Sequence, residues 1–304
     1  MLDLPLYPSF KPVALEDRDF LQPFIWRYQP ETSELTFTNL FIWQTHYGFE
    51  WSVYRHWVFI VATRTAGDAW ALQPIGPPPR LDISRMLLRW LRDEKGSLAP
   101  RIERADRWFA REMAGENDLR VEPVRDHFDY LYSTRALIEL TGRDYHAKRN
   151  HINAFTQTTR FSYAPLTEPD ARACLELADT WCAGRCEDDL GLLGEWEAVA
   201  KTLVHFEALP LAGGMILIEG QVKAFSVGEL LNSTTVVIHI EKADPAVRGL
   251  YPMINQQFLE KAWSETLFVN REQDLGNPGL RRAKESYYPA RLIEKLRISL
   301  IETR

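Results

Sequence analysis

The chain has 304 residues, a formal net charge of −6 and a hydrophobic fraction of 45%. That length suits one large domain or two of ordinary size, with apolar residues enough for a sizeable core. The negative balance excludes attraction of the whole molecule to nucleic acid or anionic lipid, so any such binding needs a local basic patch.

The opening Met1-Leu2-Asp3-Leu4-Pro5 has no basic region followed by an apolar run, so no signal peptide is expected. No stretch approaches the length of a membrane span. Leu15 to Arg27 is expected to form a short helix despite Pro23, and Thr36 to Trp43 fits either strand or helix. Trp51–Tyr54, Trp57–Ala62 and Ala69–Gln73 have the pattern of a strand meander. After the stiff loop Gly76-Pro77-Pro78-Pro79, Asp82 can cap a helix from Ile83 to Arg92 whose Met86, Leu87, Trp90 and Leu91 share an apolar face. A second helix is expected over Arg104 to Met113, and a strand over His127 to Ser133.

A boundary near residues 133 to 142 divides 1–135 from 136–304, and the second part repeats the order of elements of the first. Leu137 to Leu140 opens it. Asp144 can cap a helix to about Thr158, and Phe161 to Ala164 is a strand. Glu168 to Ala183 is amphipathic, with Ala171, Leu175, Ala178 and Cys182 on one face, and Leu193 to Leu209 is a further helix. Met215–Ile218 and Val222–Leu230 form a hairpin about Glu219-Gly220-Gln221. Thr235 to Glu241 is the strongest strand, followed by a helix from Leu250 to Trp263. A buried strand comes next, Thr266 to Val269, and Arg291 to Ser299 adds a last one. The fold class is α+β.

The three cysteines, Cys174, Cys182 and Cys186, lack a histidine at zinc-finger spacing. They are read as packing or idle thiols, with no metal site. Their scarcity points to a reducing compartment, the cytoplasm.

Three stretches carry candidate chemistry. After Val269 the chain breaks into Asn270, Arg271, Glu272 and Asp274, with a basic helical turn to Tyr287 and Tyr288 beyond. Polar groups at the carboxyl end of a buried strand are where open α/β sheets place ligand sites. A solvated loop is the plainer alternative, but a loop with no task has little reason to set charges of both signs on a strand end. The second stretch is Arg248-Gly249 opening a helix after the strong strand, where free N–H groups can receive a phosphate. With one glycine only, an ordinary strand-to-helix turn with Gly249 as a close-packing point is the simpler reading. The third is the basic helix about Lys148 and Arg149, where Lys148 shares a face with Ile152 and Phe155. It is either a snorkelling lysine or a contact to a phosphate or carboxylate.

The order of hairpin, long strand, glycine at a helix start, strand, helix and strand resembles the GCN5-related N-acetyltransferase (GNAT) fold. Of that family's phosphate loop only Arg248 and Gly249 match, and Tyr251 stands where a second small residue belongs. More specifically, Lys148-Arg149-Asn150-His151-Ile152-Asn153-Ala154-Phe155, Val269-Asn270-Arg271-Glu272-Gln273-Asp274-Leu275-Gly276 and Gly279-Leu280-Arg281-Arg282-Ala283-Lys284-Glu285-Ser286-Tyr287 together resemble the domain at the C-terminus of phosphatidylglycerol lysyltransferases. The resemblance implies tandem GNAT-like halves related to the Fem-type aminoacyltransferases. It also implies an aminoacyl-tRNA donor and a lipid-headgroup or small-molecule acceptor. An acyl-CoA-dependent N-acyltransferase and a non-catalytic binding module are the alternatives. For the transfer, Glu272 or Asp274 is expected to handle the proton or recognise an amine. His239 and Glu241 are alternates for the base. Arg271 and Lys284 are expected to hold a phosphate or the oxyanion, and Tyr287 or Tyr288 to donate a hydrogen bond. Lys148, Arg149, Arg248 and Gly249 are expected at the donor phosphate, with Asn270 beside the catalytic group.

Overall fold

The computed structural model of the chain describes residues 4–182 and 190–301. Met1, Ala183 and Cys186, on which sequence expectations rest, lie outside the described residues. The chain divides into two compact units: Met1–Asp129 with Gln273–Gly276 and Ile293–Arg304, and Tyr130–Glu272 with Asn277–Leu292.

The first unit contains β1 (Lys11–Pro12), α1 (Arg18–Tyr28), α2 (Phe37–Ile42), α3 (Gln44–Tyr47), β2 (Phe49–Tyr54), β3 (Trp57–Ala62), β4 (Trp70–Ala71), α4 (Leu81–Asp93), β5 (Arg101–Ala105), α5 (Arg107–Met113) and β6 (Leu119–Pro123). Next come β7 (Asp129–Ser133), α6 (Thr134–Glu139), α7 (His146–Thr158), β8 (Phe161–Pro165), α8 (Ala171–Cys182), α9 (Leu190–Val204), β9 (Ala212–Ile218), β10 (Gln221–Asn232), β11 (Thr235–Ala243), α10 (Leu250–Ala262), β12 (Phe268–Asn270), α11 (Pro278–Glu285), β13 (Arg291–Ile293) and β14 (Leu296–Leu300). Among the described residues they build two mixed seven-stranded sheets, ordered β1-β2-β3-β4-β5-β14-β6 and β13-β7-β12-β11-β10-β9-β8. The architecture is α+β.

In the first sheet's core, Leu87, Leu88, Trp90 and Leu91 of α4 pack with Phe59, Val61, Ile102 and Ile298. Each fully buried side chain of this size contributes about 1.5–3 kcal/mol. Asp82 is not the cap of α4: it lies in the first turn, and Arg80 holds the cap position. Two other expectations change. Arg101–Ala105 is a strand, so the helix after it begins only at Arg107, where the Asp106 carboxylate accepts from Phe109 N at 2.7 Å. The stretch expected as one last strand breaks into β13 and β14, which belong to different sheets.

In the second unit, Glu219 and Gly220 both have positive φ, 52° and 78°, the backbone a two-residue hairpin requires between β9 and β10. Helix α10 covers the sheet through Phe258 and Leu259, which meet Tyr130, Tyr132, Val236 and Val269. Its other end packs Leu250, Met253 and Ile254 on Ile152 and Phe155 of α7. Cys174 is a free thiol whose pKa burial pushes up to about 12, as an inert packing group should be. Cys182 is disulfide-bonded, which corrects the expectation of an idle thiol and removes the support that cysteine usage lent to a reducing compartment.

Candidate functional site

The site in the second unit starts from a mismatch of strand lengths. β12 pairs in parallel with β11 over only three residues, Phe268–Asn270 against Thr235–Val237. β11 runs on to Ala243, and that extension stays paired with β10 on its other edge. The β10 ladder steps from Gly228↔Ile238 to Val227↔Ile240, so His239 is the extra residue of a β-bulge. Bulges re-aim side chains next to functional sites. Beyond the last β11–β12 pair, His239 and Glu241 of β11 meet the residues that follow β12.

Two clusters result. The His239 ring lies between carboxylates, Nδ1 2.9 Å from Glu272 Oε1 and Nε2 3.0 Å from Glu229 Oε1. Burial disfavours the charged ring, but the hydrogen bonds to Glu229 and Glu272 outweigh it and raise the pKa to about 9. An imidazolium that donates through both nitrogens has no lone pair to offer, and in that state His239 holds the Glu272 carboxylate rather than serving as a base. In the second cluster, Arg271 Nη2 donates to Glu241 Oε1 at 2.7 Å, and Glu241 also accepts from Asn255 Nδ2 at 2.9 Å. Glu241 thereby accepts on both carboxylate oxygens, Oε1 from Arg271 and Oε2 from Asn255, and is a poor candidate for the base. Although burial works against its charge, Glu241 keeps the Arg271 guanidinium ionised. That guanidinium lies 4.7 Å from the centre of the Tyr287 ring and 5.8 Å from that of Tyr132.

The backbone here is held in place from several sides. Glu272 adopts a left-handed φ of 55°, costly for a residue with a long side chain. Asn270 Oδ1 accepts from Glu272 N at 2.8 Å, and Tyr130 N donates to the Glu272 carbonyl at 3.2 Å. Lys284 Nζ donates to the carbonyls of Arg271 and Glu272 at 2.6 and 3.1 Å. Asn270 and Lys284, both buried, therefore position the strand end. Lys284 is spent on backbone and does not face a phosphate. Burial pushes the Tyr287 pKa well above that of a free phenol. Tyr288 is exposed and packs edge-on against Tyr145.

Asp274 counts with the first unit. It is fully buried, accepts from Gly276 N at 2.8 Å, and has Arg125 Nη1 3.4 Å away. These are the contacts of a turn-forming residue, and the expectation that it handles the transferred proton gives way to that role. Arg149 donates to the carbonyls of Leu140 and Gly142 and so closes its own loop. Arg248 is exposed with Nε 3.4 Å from His151 Nδ1. Gly249, at φ 86°, is where α10 meets α7: a Cβ there would stand 2.4 Å from the His151 carbonyl. The glycine is required for packing rather than left open for a phosphate. Lys148, half-buried, donates to Ser286 Oγ at 2.7 Å and lies 3.8 Å above the Tyr287 ring. Burial first and Arg271 second lower its pKa to about 8.

Glu229, Asn255 and Tyr132 escaped the sequence reading, and Ser286 enters it only as part of the C-terminal motif, with no role. Glu229 alone left a signal there, a charge inside an apolar strand. Among the described residues no group of three or more His, Cys, Asp or Glu is placed to hold a metal. An open groove of about 730 Å³ lies elsewhere, in the first unit, lined by Tyr7, Arg85, Arg89 and Trp90 among others.

Residues 26–298 match the family model described as phosphatidylglycerol lysyltransferase, C-terminal. The chain belongs to this family. The member's fold superposes on a conserved protein of unknown function from Bacteroides thetaiotaomicron VPI-5482, with TM-score 0.88, 30% identity, and coverage of 96% of this chain and 99% of that one. The C-terminal domain of a protein described as a lysylphosphatidylglycerol synthetase, from Agrobacterium fabrum, gives TM-score 0.65 at 12% identity, covering 93% of this chain and 91% of that one. FemX (TM-score 0.61, 8% identity, 96% and 97% covered) and a tandem GNAT protein from the clavulanic acid biosynthesis pathway (0.50, 10%, 97% and 99%) share the architecture. At such identities the likeness is one of fold alone. An uncharacterised protein of Mycoplasmoides gallisepticum is 27% identical over 178 residues, and the match spans 57% of this chain and only 56% of that relative.

Proposed function

We propose that this family member is a transferase that moves an aminoacyl group from an aminoacyl-tRNA to a small-molecule or lipid-headgroup acceptor. One observation carries the reading: Glu272, held in a left-handed turn where β11 and β12 part, keeps its carboxylate on an imidazolium. Backbone strain that the surroundings over-determine is characteristic of functional positions. The name of the Agrobacterium relative and the family description agree with such chemistry.

The tRNA ester is already activated, so the protein supplies position, a path for one proton and stabilisation of charge. The acceptor's hydroxyl or amine attacks the ester carbonyl and forms the new bond. Its proton passes to Glu272, and the carbon–oxygen bond to the ribose breaks. Glu272 then returns the proton to the leaving ribose oxygen. A cytoplasmic location, where charged tRNA is found, is part of the proposal. No helix among the described residues is long and apolar enough to cross a membrane.

The test is Glu272→Gln, assayed with radiolabelled lysyl-tRNA against phosphatidylglycerol vesicles and glycerol phosphate. Loss of a positioned general base costs about 10²–10⁴-fold, while circular dichroism should show the fold intact. Undiminished turnover would remove the assignment. A second reading, a non-catalytic binding module, is favoured by how fully His239 and Glu241 are engaged by their partners. Acyl-CoA transfer has less support because Gly249 packs against α7. Thermal stabilisation by CoA and not by aminoacyl-tRNA would reverse that order.

A further inference from the structure

The two cations beside Tyr287 are not balanced. Lys148 lies 3.8 Å and the Arg271 guanidinium 4.7 Å from the centre of that ring. Glu241 is the carboxylate paired with Arg271, at 2.7 Å, and among the described residues Lys148 forms no salt bridge. Tyr287 is neutral, since burial keeps its proton on. Two positive charges therefore face one negative charge in a largely dehydrated corner, a surplus of one. The hydrogen-bond accounting also fails to close. Arg271 Nη1 is buried and makes no hydrogen bond of good geometry; the Tyr287 hydroxyl is close enough for a loose one, which helps to keep the guanidinium ionised. A buried charged donor left unmade costs more than a neutral one, and native structures leave few.

We propose that Lys148, Ser286 and Arg271 around Tyr287 form a binding site for one anionic oxo group, a carboxylate or phosphate carried by the substrate. Its oxygens accept from the Lys148 ammonium and Arg271 Nη1, and from the Ser286 hydroxyl once that turns away from the Ala283 carbonyl, to which it donates at 2.6 Å. The three residues come from different places: Lys148 from α7, Ser286 from the end of α11 next to Tyr287 in the chain, and Arg271 from the strand end after β12. The site is distinct from Lys284 and Arg149, whose donors go to backbone carbonyls. An incoming anion supplies the missing counter-charge, so it also draws a proton onto Lys148, which burial and Arg271 otherwise hold down at a pKa of about 8. Anion binding and protonation of Lys148 are two sides of one equilibrium. The inference rests on the transferase reading only for what bears the anion. The site itself needs no turnover.

The experiment is NMR of the full chain labelled with ¹³C-lysine, following the Lys148 Cε signal against pH, with Lys148→Gln supplying the assignment. Inorganic phosphate and acetate are the probes. In their absence Lys148 should titrate near 8, well below an ordinary lysine. Saturating probe should raise that midpoint by about one pH unit, a tenfold gain in proton affinity. Calorimetric binding of the same probe should weaken at least tenfold in Ser286→Ala, a small exposed change that spares the fold. Response to phosphate alone assigns a phosphate-bearing ligand, and response to acetate alone a carboxylate. An unmoved midpoint with both probes overturns the site, as does binding unchanged in the Ser286 variant. Burial also lowers the pKa of Lys201, so Lys201→Gln identifies that second signal and the wild-type titration decides the matter even if Lys148→Gln fails to fold. A site that binds its probe in a protein without transfer activity would sink the transferase reading and leave the anion site standing.

Discussion

The charge state of His239 is open to a direct test through Glu229→Gln. In the native protein two carboxylates hold the ring at nearly equal distances, 2.9 and 3.0 Å, and raise its pKa from 6.5 to about 9. Each tenfold change in proton affinity is worth about 1.4 kcal/mol, so the protonated ring contributes on the order of 3 kcal/mol to stability. The folded-state value lies above the unfolded one. The contribution is therefore complete below pH 6.5 and lost as pH rises through about 9. Replacing Glu229 by its amide removes one of two similarly placed charges, so roughly half of that gain, on the order of 1.5 kcal/mol, should disappear. The NMR signal of His239 Cε1–H gives the midpoint: near 9 in the native chain and about one pH unit lower in the variant. Urea unfolding from pH 6 to 10 gives the linked stability, and the native curve should fall more steeply between 6.5 and 9 than that of the variant. Lys148 titrates in the same range with the opposite sign, because its folded pKa is depressed, so the difference between the two proteins is the quantity to read. A native midpoint near 6.5, or one the substitution does not move, would refute the imidazolium and with it the view that His239 orients Glu272.

Two substitutions probe the surroundings of these clusters. Gly249→Ala puts a side chain on a residue at φ 86° and a Cβ 2.4 Å from the His151 carbonyl, so it should cost at least about 2 kcal/mol; thermal denaturation indistinguishable from native would mean that α10 and α7 do not meet there. Lys295→Met in the first unit leaves the buried carboxylates of Asp129 and Glu34 without the ammonium that now sits 2.6 and 2.7 Å away. A loss of about 3–5 kcal/mol in urea unfolding is expected, and a neutral effect would show that the ammonium does not hold the cluster together.

The second unit was largely legible in the sequence. Its hairpin, its long strand and the polar break after Val269 follow from period-2 apolar alternation and from glycine at a positive-φ turn, both local signals. The errors came where charge is buried. The helix expected over Arg104 to Met113 took in the end of a strand, since Glu103 and Arg104 look solvent-facing and Arg101–Ala105 lacks an apolar strand pattern. In the fold Glu103 is ion-paired with Arg101 and Arg297, and both Glu103 and Arg104 are buried. The same assumption hid Glu229. β13 and β14 look like one alternating run because pairing partners are set by residues far away in the chain, and pattern within the run says nothing about which sheet each half joins. At the site, the motif announced which residues matter and left their tasks unstated. Lys284 and Asn270 sit in the most distinctive stretch, and they hold backbone.

What separates a structural ionic cluster from one with work left to do is whether its charges and hydrogen bonds close. Around Lys295 they come close to closing: its ammonium meets Asp129, Glu34, Ser33 and Gln273, Arg104 at 3.6 Å from Glu34 supplies the second positive charge, and Glu34 Oε2 is left with ion pairing but no hydrogen bond. Such a cluster is expensive to bury and expensive to break, and it asks nothing of a ligand. Around Tyr287 neither account closes, for the charge is one too positive and Arg271 Nη1 makes no hydrogen bond of good geometry. A fold can hold a surplus of that kind only at a cost in stability, and such costs collect where binding later offsets them. On that argument the residues to follow in this chain are the ones the structure has left incompletely satisfied, Arg271 and Lys148, ahead of the more numerous charged residues whose partners are already in place.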